Sequence, residues 1–179
     1  HHAARPLITR IAQTEDDRRS LVATPADFPV CHHGELVLND NTPIMTHIGV
    51  GIDTARYGHV VNFLDEDQQR AAPQLTVTEN SKGYRELKEQ LNKLCGKHAD
   101  VHFHVHIDAA GQYAANLERF LRSLELPMTV SVGEPKRNKD YHKAFFPNCK
   151  ADATESQAMA RFGVVEQPLP TPEVPDKFF

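Results

Sequence analysis

The sequence predicts an α/β fold in which a mixed five-stranded sheet is flanked by helices. Five short segments alternate apolar residues with small or polar ones, which is the pattern of β-strands. Longer segments repeat apolar residues every three or four positions, which is the pattern of amphipathic helices. Because the later strands alternate with helices, we expect them to be parallel and joined by right-handed crossovers.

The predicted elements follow one another through the middle of the chain. The first strand places Ile48, Val50 and Ile52 on one face. Ser81 is the predicted N-cap of the first helix, and Gly96 is its predicted C-terminal stop. Three strands followed by helix, strand, helix, strand and helix is the order of the RNase H-like fold. The predicted strands are residues 46–53, 57–64, 75–78, 101–108 and 128–132, and the predicted helices are residues 81–95, 113–124 and 152–162.

Both ends of the chain differ from this middle part. Residues 1–44 contain four prolines and little periodicity, and we expect a flexible N-terminal extension there. Residues 168–179 contain four more prolines, so they cannot form a helix or a central strand. We therefore predict one domain over residues 45–167, followed by a Pro-rich linker to a C-terminal domain that this chain lacks.

The composition is that of an ordinary globular protein. Apolar residues make up 40% and charged residues 25% of the 179 residues. No apolar run approaches roughly 18 residues, so we expect no membrane-spanning helix. The three cysteines are far apart in the sequence, which argues against a disulfide framework and favours a reducing cytoplasm. The net charge of −4 is no overall signature of nucleic-acid binding, so such a contact must come from a local patch.

Four acidic residues are candidate catalytic residues and metal ligands. Asp53 ends the first strand and Asp108 ends the fourth, and these strands are neighbours in the predicted sheet. Asp152 and Glu155 lie three residues apart on the last helix, so they project from one face. Carboxylates that meet at one point repel one another, and Mg²⁺ (or Mn²⁺ in its place) removes that repulsion. Each residue alone is more typical of a turn, a cap or a solvated face, but together they predict phosphodiester chemistry.

A basic segment separates the fifth strand from the last helix. It has two interpretations, a solvated loop or a surface that holds the phosphate backbone of a nucleic acid close to the acidic residues. Its candidate nucleic-acid-binding residues are Lys136, Arg137, Lys139, Lys143 and Lys150.

Three histidines alternate along the fourth strand and share a face with Asp108. His102, His104 and His106 resemble the imidazole ligands of zinc hydrolases, which is one interpretation. The alternative is that they are partly buried under a flanking helix, with His106 acting on Asp108 as an outer partner.

Four segments resemble, in order, motifs of the N-terminal domain of IS110-type transposases. Residues 48–56 contain the Gly-Ile-Asp core of the family's opening strand, and residues 105–113 resemble its Glu-Ala-Thr-Gly-x-Tyr motif. Residues 130–137 resemble its Val-Asn-Pro strand end, and residues 150–162 resemble its Lys-Thr-Asp-x-x-Asp-Ala motif. The chain departs from the family pattern at Asp108, where Glu is usual, and at Glu155, where Asp is usual.

The resemblance implies a RuvC-like catalytic domain that cleaves and transfers DNA strands with Mg²⁺ during transposition of an insertion sequence. It implies DNA as a partner, self-association, a structured guide RNA in some members, and a location at the nucleoid of a bacterial cytoplasm. It also implies a second domain with a working serine, so we expect this chain to be inactive alone. Two alternatives stay open: a stand-alone RuvC-like Holliday-junction resolvase or nuclease, and a non-catalytic nucleic-acid-binding domain.

Overall fold

A computed structural model describes residues 44–108, 112–149 and 152–173. These residues belong to one compact unit that begins at Ile44, and almost all of the predicted N-terminal extension lies outside them. The elements in chain order are strands β1 (Thr46–Asp53), β2 (Gly58–Leu64) and β3 (Arg70–Thr78), helix α1 (Ser81–Lys97), strand β4 (Val101–Asp108), helix α2 (Gln112–Ser123), strand β5 (Met128–Gly133), helices α3 (Pro135–Phe145) and α4 (Asp152–Arg161), and a π-helical turn (Phe162–Glu166).

The five strands form one mixed sheet in the order β3-β2-β1-β4-β5. β2 runs antiparallel to both β1 and β3, whereas β4 runs parallel to both β1 and β5. The described helices flank this sheet. The predicted α/β fold is confirmed, and it is consistent with an RNase H-like domain. The predicted pairing of the first and fourth strands is also confirmed.

One face of the sheet carries the main hydrophobic core. Alternate residues of β1 point to this face and are fully buried, as the sequence pattern predicts. The amphipathic faces of α1 and α2 cover them, because leucines recur at helical spacing on both helices. The fully buried core residues of β1, α1 and α2 include Ile48, Val50, Ile52, Leu87, Leu91, Leu117 and Leu121.

The opposite face of β1 is covered by α4, whose backbone lies directly on the strand. A Cβ atom at Gly51 would come within 2.0 Å of the Ser156 carbonyl oxygen, and one at Gly49 within 2.1 Å of the Ala160 carbonyl oxygen. Only glycine permits this approach. A buried hydrogen bond of 2.7 Å from Asn62 Nδ2 to Ser156 Oγ fixes α4 on the sheet from the neighbouring strand.

The prediction that Ser81 caps the first helix is wrong. Asn80 is the N-cap, with φ at −159° and a side-chain oxygen that accepts a hydrogen bond of 2.9 Å from the Gly83 amide. The prediction that Gly96 ends this helix is also wrong, because the helix continues to Lys97.

The third strand is longer than predicted and begins at Arg70 rather than Leu75. It includes Pro73, which a central strand would not tolerate. β3 lies at the edge of the sheet, so a residue without an N–H group fits there.

The basic segment after β5 is a helix, α3, and not a loop. Pro135 lies in its first turn, where the missing N–H group leaves no hydrogen bond unmade. Asn138 and His142, one turn apart on the same face, are its buried residues. α3 packs against α4.

The Pro-rich segment after the π-helical turn runs along the exposed edge of β5. The Thr171 amide donates to the Val130 carbonyl at 3.0 Å, and its hydroxyl oxygen accepts from the Val132 amide at 2.8 Å. Arg122 on α2 donates to the Thr171 carbonyl at 2.6 Å. Thr171 thus pairs with the outer edge of β5, and the role of this segment as part of a linker stays a prediction. Among the described helices, none combines the length and apolar character needed to cross a membrane.

Candidate active site

Asp53 and Asp108 lie at the same edge of the sheet because their strands are adjacent and parallel. Ile52 pairs with Ile107 in the last register position of β1 and β4, so both aspartates occupy the carboxyl ends of these strands. The Thr54 hydroxyl donates to the Asp108 carbonyl at 2.9 Å and ties the two ends together. Both aspartate side chains are partly exposed.

Glu155 approaches the two aspartates from α4. Asp53 lies on the same face of β1 as Gly51, where the helix backbone contacts the strand. Asp53, Asp108 and Glu155 line one cavity of about 220 Å³. Asp152 is the first residue of α4, three positions before Glu155. Its side chain lies outside the part of the chain that the structure describes. Three of the four predicted acidic residues therefore share one cavity.

Helix α3 forms another wall of this cavity. Asn138 and His142 project into it from successive turns, with Lys139 at its rim. Asn138 Nδ2 donates to Asp108 Oδ1 at 2.7 Å, and His142 Nε2 lies 3.0 Å from Thr154 Oγ1 on α4. Neither Asn138 nor His142 was predicted from the sequence as a site residue. Pro135 as a helix start and the four-residue spacing of the pair are the signals that could have found them.

The donor chemistry of the cavity fits Mg²⁺, which prefers carboxylate and other oxygen ligands. In the described part of the chain, no group of three or more His, Cys, Asp or Glu side chains is arranged so that it could hold an ion. The described side chains do not include that of Asp152, the fourth predicted ligand. The metal-ligand role of the four acidic residues therefore remains a prediction.

The three histidines of β4 have separate partners. His102 Nε2 lies 2.8 Å from Thr129 Oγ1, and His104 Nε2 lies 2.9 Å from His47 Nδ1. His106 has hydrogen-bond partners on other elements, Ser131 on β5 and Asn138 on α3. Within the described residues the zinc interpretation has no support, and burial of His104 and His106 fits the alternative.

Burial keeps these histidines neutral. It lowers the pKa of His104 to about 4, and repulsion between the protonated forms of His104, His102 and His47 contributes to the same shift. Burial also lowers the pKa of His106, and it outweighs the opposing effects of Asn138 and Asp108. An uncharged His106 beside the acidic cavity acts as a hydrogen-bonding group rather than as a counter-charge.

The predicted basic residues are on the solvent-exposed part of α3. Lys136, Arg137, Lys139 and Lys143 are all exposed, and Lys139 borders the acidic cavity. Lys150 lies outside the described residues. The structure thus brings one cationic side chain, that of Lys139, to the rim of the cavity that the carboxylates line.

The model of the transposase family DEDD_Tnp_IS110 matches residues 50–178. This chain belongs to that family. The match confirms the resemblance to the N-terminal domain of IS110-type transposases, and its residues include all four predicted acidic positions. No curated protein matches the chain. Membership of a transposase family implies a protein that processes DNA.

Proposed function

We propose that this IS110-type transposase chain is a catalytic domain that cleaves and transfers DNA strands with Mg²⁺. The observation that supports it most is the shared cavity at the carboxyl ends of β1 and β4. Asp53, Asp108 and Glu155 line it, and they are three of the four positions at which the family resemblance implies acidic residues.

The four acidic residues would hold the ion, with Asp152 and Glu155 contributed by α4. When bound, Mg²⁺ supplies positive charge that stabilises the attacking and leaving oxygens of a phosphodiester exchange. The protein's own part is orientation. β1 and β4 fix Asp53 and Asp108 by their register, and α3 presents lysines to the phosphates on either side of the reacting bond.

The proposal extends to the partners. DNA is the substrate, and the exposed face of α3 is its proposed contact surface. A structured guide RNA, self-association and a place at the bacterial nucleoid are proposed on the family resemblance alone.

Replacement of one carboxylate tests this function. Asp53→Asn keeps the shape of the side chain but removes its charge, so we expect transposition by the full-length protein to fall by more than about 100-fold. Removal of a side chain that only hydrogen-bonds to a metal ligand already lowers metal affinity or activity by about 10–100-fold. The measurement is excision and insertion of the encoding element on a plasmid, with circular dichroism to verify folding.

Asp67→Asn is the matched control. Asp67 is exposed in the turn between β2 and β3, at the opposite edge of the sheet, and its substitution changes the net charge equally. Full activity of both variants would contradict the proposed function. If this chain alone cleaves branched DNA in a way that needs Asp53, a stand-alone nuclease replaces the transposase proposal.

A further inference from the structure

Behind Asp108, three buried side chains form a continuous line of hydrogen bonds that ends on its carboxylate. Ser131 Oγ lies 2.7 Å from His106 Nδ1, His106 Nε2 lies 3.0 Å from Asn138 Oδ1, and Asn138 Nδ2 lies 2.7 Å from Asp108 Oδ1. The residues come from β5, β4 and α3. Ser131, His106 and Asn138 are 4%, 3% and 8% exposed, so water does not compete for these bonds.

The chemistry of the groups fixes the direction of every bond in this line. An ionised Asp108 only accepts hydrogen bonds, so Asn138 must present its NH₂ group to it. The carbonyl oxygen of Asn138 then faces His106, whose Nε2 must carry the hydrogen. In a neutral ring Nδ1 is then an acceptor, and the shorter contact takes the one hydroxyl hydrogen of Ser131. That hydrogen is donated to Nδ1 at 2.7 Å rather than to the Val105 carbonyl at 3.1 Å. Each group therefore donates toward Asp108, and the line has no unsatisfied member.

Gly133 provides the space in which His106 and Asn138 meet. A Cβ atom at this position would lie 2.3 Å from Asn138 Oδ1 and 2.6 Å from His106 Nε2. Both distances are far shorter than any van der Waals contact, so a side chain here would push the two groups apart. The glycine is a second feature, independent of the hydrogen bonds, that is adapted to this contact.

The imidazole is also held on its face. The His106 and Phe162 rings pack with centroids 4.4 Å apart, and Phe162 opens the π-helical turn that follows α4. The ring orientation is thus fixed by packing as well as by its two hydrogen bonds, which is typical of groups that orient a ligand.

We propose that Asn138 is a positioning residue for Asp108, and that His106 and Ser131 hold Asn138 in the orientation that this requires. The proposal rests on the proposed function, because it takes Asp108 as a metal ligand. The amide engages Oδ1 of Asp108, which leaves Oδ2 as the oxygen that would bind the metal ion. Without the amide the carboxylate would rotate, and the ligand geometry that Mg²⁺ demands would be lost.

Mn²⁺ binding tests the proposal without any catalytic assay. The electron paramagnetic resonance signal of free Mn²⁺ falls as the ion binds. Its intensity in a titration gives the dissociation constant of Mn²⁺ from the full-length protein with DNA present. We expect Asn138→Leu to raise this constant about 10–100-fold, the usual cost of removing an outer partner of a metal ligand. Asn92→Leu, the same change at an exposed position of α1, should leave it unchanged.

A pair of substitutions at His106 separates hydrogen bonding from packing. His106→Gln keeps an N–H group that can donate to Asn138, whereas His106→Leu does not. We expect the Gln variant to bind Mn²⁺ within a few-fold of the parent and the Leu variant to match Asn138→Leu, which would show that the bond and not the volume matters. Equal affinities in the two His106 variants would overturn the proposal.

Nuclear magnetic resonance of the unaltered protein gives a test that needs no variant. Long-range ¹H–¹⁵N spectra of the metal-free protein should show the His106 proton on Nε2. A proton on Nδ1 would reverse the direction of the line and overturn the proposal.

Asp108→Asn distinguishes failure of the positioning role of Asn138 from failure of the proposed function. If it abolishes Mn²⁺ binding and Asn138→Leu does not weaken it, the positioning role fails and the proposed function stands. If Asp108→Asn itself leaves Mn²⁺ binding unchanged, the metal-ligand role of Asp108 fails, and the positioning role fails with it.

Discussion

Two glycines of β1 determine how closely α4 approaches the sheet, and so where Glu155 lies in the cavity that it shares with the two aspartates. At Gly51 the nearest atoms to an added Cβ would be the backbone of Ser156 and Ala160 at 2.0 Å. Neither atom belongs to a flexible side chain, so the helix itself would have to move. The sequence Gly-Val-Gly-Ile-Asp is therefore a packing requirement as well as a family motif.

Gly51→Ala should destabilise the protein by about 3 kcal/mol or more, at the upper end of the usual cost of overpacking a core. Gly96→Ala is the control, because Gly96 is exposed within α1 and nothing lies within 4 Å of an added Cβ. It should stabilise the protein by about 0.5–1 kcal/mol, since alanine favours helix over glycine. Urea denaturation measures both, and similar effects at the two positions would contradict the packing described for α4.

Some site residues could be predicted from the sequence and others could not. Asp53 and Asp108 follow alternating strands, and the carboxyl ends of parallel neighbours meet, so their proximity was predictable. The contact of Asn138 with Asp108 was not predictable, because a helix start at Pro135 and a four-residue spacing do not show which group the amide meets. Its role depends on His106 and Gly133, which only the fold brings to it.

Helix α3 is an element that the sequence pattern did not predict. The segment has few apolar residues, and its buried side chains are the polar Asn138 and His142. Such a helix lacks the apolar periodicity from which an amphipathic helix is predicted. The strands β1 and β4 have strict alternation and were predicted with the bounds that the structure shows.

The exposed lysines of α3 should control the salt dependence of DNA binding. Lys139 and Lys143 lie one turn apart, and replacing both with Gln should lower the slope of log affinity against log salt concentration by about 1 per lost phosphate contact. Lys88→Gln with Lys93→Gln, on exposed positions of α1, is the control and should not change the slope. Titrations by fluorescence anisotropy measure it, and equal slopes in the two double variants would remove α3 from the contact surface.

At the scale of the whole molecule, the charge distribution matters more than the total. The net charge is −4, with 24 acidic and 20 basic residues, so the chain as a whole does not attract DNA. The fold places a lysine-bearing helix beside an acidic cavity, and the proposed contacts with phosphate and with Mg²⁺ both rest on this local arrangement. The order of strands and helices was sufficient to predict the sheet, because connection rules leave few topologies for it.

The most direct test of the metal-dependent site is X-ray diffraction from crystals of the protein with DNA and Mn²⁺, measured for anomalous scattering. We expect an anomalous peak in the cavity lined by Asp53, Asp108 and Glu155, with Asp152 completing the ligands, and no such peak in Asp53→Asn crystals. A cavity without Mn²⁺ in crystals that hold DNA, or an ion bound elsewhere with the carboxylates apart, would contradict it.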